Sequence, residues 1–409
     1  MEEISKKIKL LVIAPDQGGI MLFRSTSPHI FIQNNFGDRI HVDIIFPKDM
    51  PVMDLSSFLM EYDIIQIHSC ICRSTKLIEL IRFLDIPLVI DIDDYYLLGP
   101  DHPMYFMSKK EQIHIPIMDA LKKADYVTTT TPIYAKELRK LNKNVAIFPN
   151  TVDPTDKQFS TEKNPNPSGM LRVGIICGST HLKDIELLSK VYQTTSSGKV
   201  QIELCGFDTN GTNTLYGKDG TKKTVPISPY QTTWYQFEKI LTNNYQTISP
   251  AHKDFLLKFI PNIDDPFTNE PYRRFWTKDI SKYANHYKNV DVLLAPLKEN
   301  MFNKMKSELK EIECGYTNTA IIAQNFGAYS INLTNFNKNQ DPNATSILID
   351  SSKNHKDWNK SINLLVQHPE YVELLKNNLS NFVRKTYPMM KIAEARVELY
   401  EKICKNKNK

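Results

Sequence analysis

The chain has 409 residues, 41% of them hydrophobic and 24% charged, with a net charge of +5 left by 51 basic and 46 acidic side chains. That length predicts two domains rather than one core, and that composition a folded chain rather than a disordered one. The charge is too dilute for a dedicated nucleic-acid binder, which would show a basic patch or stripe, and supports only a modest preference for anions.

The six cysteines, Cys70, Cys72, Cys177, Cys205, Cys314 and Cys404, contain no CxxC pair and no zinc-ligand spacing. They read as reduced residues, mostly core, of a cytoplasmic protein. The apolar stretch from Ile8 to Ala14 is too short for the core of a secretion signal, and no cleavage site follows it. Nowhere do about 18 apolar residues run together, so no membrane span is predicted. The tail from Lys402 to Lys409 carries four lysines. It reads as a frayed, solvated end, with weak peripheral contact at the inner face of the cell membrane as the alternative.

In the first part of the chain, short apolar runs alternate with helix-period segments, the pattern of a parallel sheet with crossover helices. Strands are predicted from Lys9 to Ala14, Val42 to Phe46, Ile64 to His68, Leu88 to Ile92, Tyr126 to Thr130 and Val145 to Phe148. Helices fit between them, for example Thr75 to Phe83 and Pro132 to Leu141, the second with Thr131 as N-cap and Pro132 at its first position. Residues 1–155 thus read as one Rossmann-like domain. Periodicity is lost among the Pro, Asn, Lys and Ser residues that follow, which predicts a linker over 156–169.

The pattern restarts with a strand from Leu171 to Cys177, a helix from Asp184 to Tyr192 and a strand from Gln201 to Cys205. Residues 207–268 fit it poorly and read as an insertion, with helices from Trp234 to Thr242 and His252 to Phe259. Then come a helix from Asp279 to Tyr287, a strand from Asp291 to Ala295, a helix from Asn303 to Gly315 and a strand from Thr319 to Ala323. The last helices are predicted from Trp358 to Arg384 and from Met389 to Cys404. Residues 170–385 read as the second domain, and 386–409 as a helix that packs back on the first.

The segment from Asn303 to Tyr316, NKMKSELKEIECGY, is the most informative. At 100° per residue, Met305, Leu309, Ile312 and Tyr316 share a core face, and Asn303, Lys306, Ser307, Lys310 and Glu313 share a second sector. Glu308 and Glu311 fall on a third, on the solvent side. A second polar stripe beside the core suggests a ligand-lining face. Lys304 and Lys306 lie in the first turn, where the helix dipole disfavours cations by roughly 0.3–1 kcal/mol and an anionic ligand would reverse the sign. A charged surface helix is the competing reading.

The run APLKENMFNKMKSELKEIECGYTNTAIIAQNFGAY, from Ala295 to Tyr329, resembles the donor-binding segment of the group 1 glycosyltransferases (family 4, GT-B fold), especially bacterial members with an N-x-x-K-S-x-x-K-x-x-E helix. ADYVTTTTPIYAKELRKLNKNVAIFPNTVD, residues 124–153, is similar to the end of that family's N-terminal domain. VGIICGSTHLKDIELL, residues 173–188, looks like the first strand, loop and helix of its C-terminal domain. The resemblance implies an α/β, GT-B architecture of two Rossmann-like domains whose parallel sheets face a central cleft. It also implies a retaining transferase that moves a sugar from a nucleotide-sugar donor to a glycan, lipid-linked or protein acceptor, using no cofactor or metal beyond the donor itself; the dilute charge already argues against a nucleic-acid partner. A cell-envelope or capsular glycan intermediate is the expected product class.

Residue by residue, the resemblance assigns Glu313 to the ribose hydroxyls of the donor. Met305 stands where the family has another glutamate, so Lys306 and Ser307 are expected to take over part of its ground, with Asn303 and Lys310 in the same motif. Gly327 and Tyr329, with Ala328 between them, belong to a loop that meets donor phosphate or sugar. Ser179 replaces an arginine, which leaves His181 and Lys183 as diphosphate contacts. Gly18 and Gly19 let backbone approach donor phosphate or acceptor. Arg24 is a basic residue facing either the cleft or the surface.

The carboxylates of Asp91, Asp93 and Asp94 crowd one strand end and repel one another unless something positive or polar meets them. By resemblance, Asp93 stands in place of a histidine near the transferred sugar, and sugar hydroxyls would be its partners; capping the following turn is the plainer role. Two other functions compete. Asp91 and Asp93 could form the DxD pair of a metal-dependent transferase of the other major fold, or the chain could be a non-catalytic nucleotide- or sugar-binding relative.

Overall fold

The computed structural model describes residues 7–15, 18–51, 53–208, 210–216, 222–243, 271–336, 340–350 and 355–407. The chain divides into two compact units. The first comprises Met1–Asp156, Asn300–Ile312 and Val383–Lys409, and the second Lys157–Glu299 and Glu313–Phe382.

The first unit is built on six parallel strands, β1 (Ile8–Ile13), β2 (Ile40–Ile45), β3 (Ile64–His68), β4 (Leu88–Asp91), β5 (Tyr126–Thr129) and β6 (Val145–Ile147), in the order β2-β1-β3-β4-β5-β6. β3 and β4 are buried along their whole length, which is why they read as unbroken apolar runs rather than alternating ones. The strand order reverses between β1 and β3, and at such a point the loops at the carboxyl ends of the strands splay apart and leave a crevice. The helix Pro132–Leu138 begins where the Thr131 hydroxyl accepts the Tyr134 amide at 3.2 Å. The last helix, Met389–Lys407, packs against the helix Ser27–Asn35. From it Tyr400 places its hydroxyl 2.9 Å from His29 Nε2 and 2.7 Å from the Gln66 amide oxygen.

The second unit repeats the plan with β7 (Leu171–Ile176), β8 (Val200–Phe207), β11 (Tyr272–Trp276), β12 (Val292–Ala295), β13 (Ala320–Gln324) and β14 (Ile347–Ile349). All are parallel, in the order β11-β8-β7-β12-β13-β14, and β9 (Thr212–Tyr216) forms an antiparallel pair with β10 (Lys222–Pro226). The α/β class expected from the alternation is therefore the observed one, with two six-stranded parallel sheets. No helix of the described residues is long and apolar enough to cross a membrane.

Several elements depart from the sequence reading. β11, YRRFW, was not anticipated because two arginines interrupt its apolar pattern. Both are buried and paired, Arg273 with Glu203 at 3.4 Å and Arg274 with Glu238. β14 was also missed. The single helix expected from Trp358 to Arg384 is two, His355–Gln367 and Pro369–Thr386, parted where Pro369 has no N–H to donate. The helices expected from Asp184 to Tyr192 and from Asp279 to Tyr287 are instead short turns, largely 3₁₀ in geometry. The helix expected from His252 to Phe259 lies outside the described residues.

The Pro- and Asn-rich stretch after residue 156 packs closely on the second unit. Lys163 Nζ donates to the carbonyls of Tyr287 and Val290 at 2.9 Å each and to Thr319 Oγ1 at 2.7 Å, and burial pulls its pKa down to about 8. At the centre of this unit, a Cβ built on Gly174 would lie 2.3 Å and 2.6 Å from the two methyls of Val290. Gly174→Ala is expected to destabilise the protein by about 1–3 kcal/mol through this overlap, read as a lower midpoint of thermal unfolding.

Candidate active site

In the first unit, polar groups gather at the carboxyl end of the sheet. Arg24 is buried completely and grips Asp91 with two parallel bonds, Nε to Oδ2 at 2.9 Å and Nη2 to Oδ1 at 2.7 Å. Its Nη1 donates to the Phe148 carbonyl at 2.7 Å and to Asn150 Oδ1 at 3.1 Å. Thr128 Oγ1 donates to Asp91 Oδ1 at 2.5 Å. Burial pushes the Asp91 carboxyl upward, but the guanidinium more than offsets this and holds it below the usual carboxylate range. Arg24 therefore faces neither a cleft nor the surface, in correction of both readings of it, and Asp91 is a structural carboxylate.

Asp93, two residues on, is partly exposed and lies 3.0 Å from Nε2 of the buried His68 at the end of β3. The amide of Cys70 lies 3.2 Å from His68 Nδ1, and in the neutral ring this contact favours the tautomer whose Nε2–H points at Asp93. Burial, the largest single influence, opposes protonation of His68, but its bond to Asp93, its bond to Cys70 and the Asp93 charge together outweigh this and raise the imidazole pKa well above its ordinary value. The crowded carboxylates thus divide: Arg24 neutralises Asp91, and Asp93 carries a basic histidine. Gly18 and Gly19 are exposed after β1; Gly18 has φ +95, and a Cβ at either would meet nothing within 4 Å.

The segment from 301 to 316 is not the single helix expected. Met301–Lys304 forms one turn, in which the Asn300 side chain accepts the Asn303 amide at 2.8 Å, and a second helix, Leu309–Tyr316, starts after a break. The amides of Met305 and Lys306 close back on Phe302 and Asn303, and the Glu308 carbonyl accepts the Ile312 amide to open the second helix. A constant 100° step across the break therefore misplaces the residues before it relative to those after it. Glu308 and Glu311, expected in solvent, are buried, while Met305 belongs to the core of the first unit. Lys306 lies half-buried over the Phe302 ring at 5.3 Å, Lys310 is half-buried, and Ser307 Oγ accepts Asn150 Nδ2 at 3.0 Å.

In the second unit, the loops after the neighbouring strands β7, β12 and β13 hold the remaining candidates. Ser179 is exposed just after Gly178, and His181 Nδ1 lies 2.7 Å from Asp184 Oδ2. Asp184 Oδ1 in turn accepts the Lys298 amide beyond β12 at 2.8 Å, so this buried carboxylate ties two strand ends together. Lys183 Nζ pairs with Glu186 at 2.7 Å. Gly327, with φ +58, precedes Tyr329, a buried residue that begins the short helix Tyr329–Asn332. Glu313 is fully buried, and its oxygens accept the hydroxyls of Tyr287, at 2.6 Å, and Tyr283. The carboxylate expected to meet ribose is thus engaged by two phenols.

Sequence reasoning gave no site role to His68, Asn150, Asp184 or this tyrosine pair, and it placed Glu308 in solvent. His68 could have been found, since it ends a correctly placed strand beside the one that carries Asp93.

Burial raises the carboxyl of Glu308 from the ordinary glutamate value of 4.5 to about 7, and that of Glu311, with Glu308 beside it, to about 8. Because these folded-state values lie above the unfolded one, the stability the two contribute is full below about pH 4.5 and is lost as pH rises through 7 and 8. Glu311→Gln keeps an acceptor for the Tyr387 hydroxyl, which donates to Glu311 Oε1 at 2.9 Å. This variant is expected to lose less melting temperature than the parent between pH 5 and pH 8, measured by differential scanning calorimetry.

No family model matches the chain, and no curated protein matches it in sequence. Solved structures do match in shape. HepE of Anabaena in complex with UDP aligns with a TM-score of 0.60 at 12% identity, over 97% of this chain and 100% of that one. Sucrose-phosphate synthase of Thermosynechococcus elongatus gives 0.61 at 13%, over 97% and 99%. The catalytic domain of starch synthase IV of Arabidopsis thaliana, bound to ADP and acarbose, gives 0.62 at 13%, over 98% and 100%. At such identities the likeness is one of fold, and the fold is that of the GT-B glycosyltransferases.

Proposed function

We propose that the protein is a retaining glycosyltransferase that moves a hexosyl group from a nucleoside-diphosphate sugar to a hydroxyl of a glycan, lipid-linked or protein acceptor. Synthesis of a cell-envelope or capsular glycan, at the inner face of the cell membrane, is the setting the reading implies. One observation carries it: the fold is matched along nearly the whole chain by structures that hold UDP, UDP-glucose or ADP. The loops at the carboxyl ends of parallel strands, where such sheets bind anionic ligands, are also where the candidate residues lie.

In the proposed reaction the acceptor hydroxyl attacks the anomeric carbon from the face the diphosphate leaves. The bond from that carbon to the phosphate oxygen breaks through an oxocarbenium-like state, negative charge builds on the departing diphosphate, and a phosphate oxygen takes up the proton of the acceptor hydroxyl. In the second unit, Ser179, His181, Lys183 and the loop from Gly327 to Tyr329 are assigned to the diphosphate. Glu313 is assigned to the ribose, whose hydroxyls would replace a phenol on its carboxylate.

In the first unit, Lys306 is assigned to the charge that develops in the transition state, with Asn303, Ser307 and Lys310 shaping the segment that carries it. Asp93, oriented by His68, is assigned to a hydroxyl of the transferred sugar or of the acceptor, and Gly18 and Gly19 to close backbone approach. The DxD alternative is disfavoured because both oxygens of Asp91 are already committed, to Arg24 and Thr128.

Release of nucleoside diphosphate from a panel of nucleotide sugars, followed in excess EDTA, tests this reading. Activity should persist with the metal chelated; its loss on chelation and return with Mn²⁺ would move the donor site to Asp91 and Asp93. Lys306→Ala should lower turnover by about 10²-fold, the scale of losing one transition-state donor, with little change in thermal stability. Glu313→Gln should weaken nucleotide-sugar binding by about 1.5–3 kcal/mol in calorimetry, and unchanged affinity would remove Glu313 from the ribose site.

A further inference from the structure

Glu308 presents an unanswered hydrogen-bonding demand. Its side chain is only 4% exposed, and neither carboxylate oxygen has a hydrogen-bond partner among the described residues. The donors known to act on it or on its neighbours are turned to other partners. Four of the five N–H bonds of Arg24 go to Asp91, the Phe148 carbonyl and Asn150, and none reaches Glu308. The Asn150 amide nitrogen donates to Ser307, the Thr128 hydroxyl to Asp91, and the Tyr387 hydroxyl to Glu311. The backbone amides of Glu308 and Asn150 favour the carboxylate electrostatically without meeting hydrogen-bond geometry.

A buried carboxyl left in this state is costly, so what completes the site must bring donors of its own. The Arg24 guanidinium nearby and the amide end of the helix Leu309–Tyr316 make the surroundings positive, which disfavours a second cation. An anion such as phosphate brings no donor. A neutral polyol satisfies both conditions.

We propose that Glu308 is a specificity-determining residue whose carboxyl hydrogen-bonds hydroxyls of a bound sugar, which can both donate and accept. The inference rests on the transferase reading above and adds to it a residue that the sequence places in solvent. The hydroxyls belong either to the donor sugar or to a saccharide acceptor, and the chemistry at Glu308 is the same.

Calorimetry on the full chain and on Glu308→Gln and Glu308→Ala, with UDP-glucose and UDP as ligands, separates these sources. If the parent prefers another nucleotide sugar in the panel, that sugar and its nucleotide are the pair used. A donor-sugar contact predicts that Glu308→Ala binds the nucleotide sugar at least tenfold more weakly while UDP affinity is unchanged, with Glu308→Gln in between. An acceptor contact predicts unchanged affinity for both ligands and a KM for saccharide acceptors raised at least tenfold. Either way the ligand-free variants should melt no lower than the parent, since a buried unpaired carboxyl has been removed.

Parent-like affinity and parent-like KM in both variants would overturn the proposal, as an internal water or a structural role would then account for the site. A ligand-free melting temperature lowered by several degrees in both variants would overturn it as well. A parent chain that binds none of the nucleotide sugars would instead overturn the transferase reading itself, whatever the variants do.

Discussion

The carboxyl edge of the first sheet depends on the buried bond between Arg24 and Asp91. Taking a guanidinium and a carboxylate out of water costs several kcal/mol per ion, and only near-complete hydrogen bonding offsets such a cost. Here the completion is spread over the structure: Asp91 ends β4, Thr128 lies in β5, and Phe148 and Asn150 follow β6. One side chain from the helical region after β1 therefore fixes three strand ends relative to one another. Through Asn150 and Ser307 it also reaches the segment from 300 to 312.

That anchoring sets the character of the neighbourhood. Arg396 is buried over the Phe148 ring, with its carbon centre 4.7 Å from the centroid, and both burial and Arg24 disfavour its charge. His29 is driven to a pKa of about 3, by burial first and then by Arg396, and is neutral at ordinary pH. The interior is thus positive and short of acceptors, so Asp91 stays ionised, whereas Glu308 and Glu311, deep in the same unit but without such partners, are held near neutrality. Identical side-chain chemistry yields an ionic strut in one place and a proton-holding carboxyl in the other, according to which donors reach it.

What the sequence revealed follows the same physics. The central strands were legible because parallel strands covered on both faces are apolar throughout, and β3 was placed at its observed bounds. β11 was not, because buried Arg–Glu pairs look like surface residues until both partners are seen. In the candidate site, Asp93 was singled out from local charge crowding, which a linear reading can detect. His68 lies on another strand, 25 positions away, and becomes its partner only through the pairing of β3 with β4. Glu308 and Glu311 were misplaced because the helix that Glu308 opens is buried on nearly all sides, Glu311 to Thr317 included, so the face that periodicity assigned to solvent is covered by the rest of the structure. The phenols on Glu313 come from a 3₁₀ segment whose own pattern gave no sign of a common target.

The discontinuous make-up of the first unit bears on how the protein is born. A ribosome delivers the chain from its amino end, so β1 to β6 emerge long before Tyr387, Arg396 and Tyr400, which complete the same unit. Throughout synthesis of the second unit, Gln66 and His29 lack the hydroxyl that finally lies between them, and the face later covered by the helix Met389–Lys407 is open to water. The second unit's sheet, whose strands all come from residues before the last helix, is free to close first. The half of the molecule that is made first is thus the half that finishes last, and a nascent chain halted before residue 400 would expose its defect in the amino-terminal sheet rather than at the point of arrest.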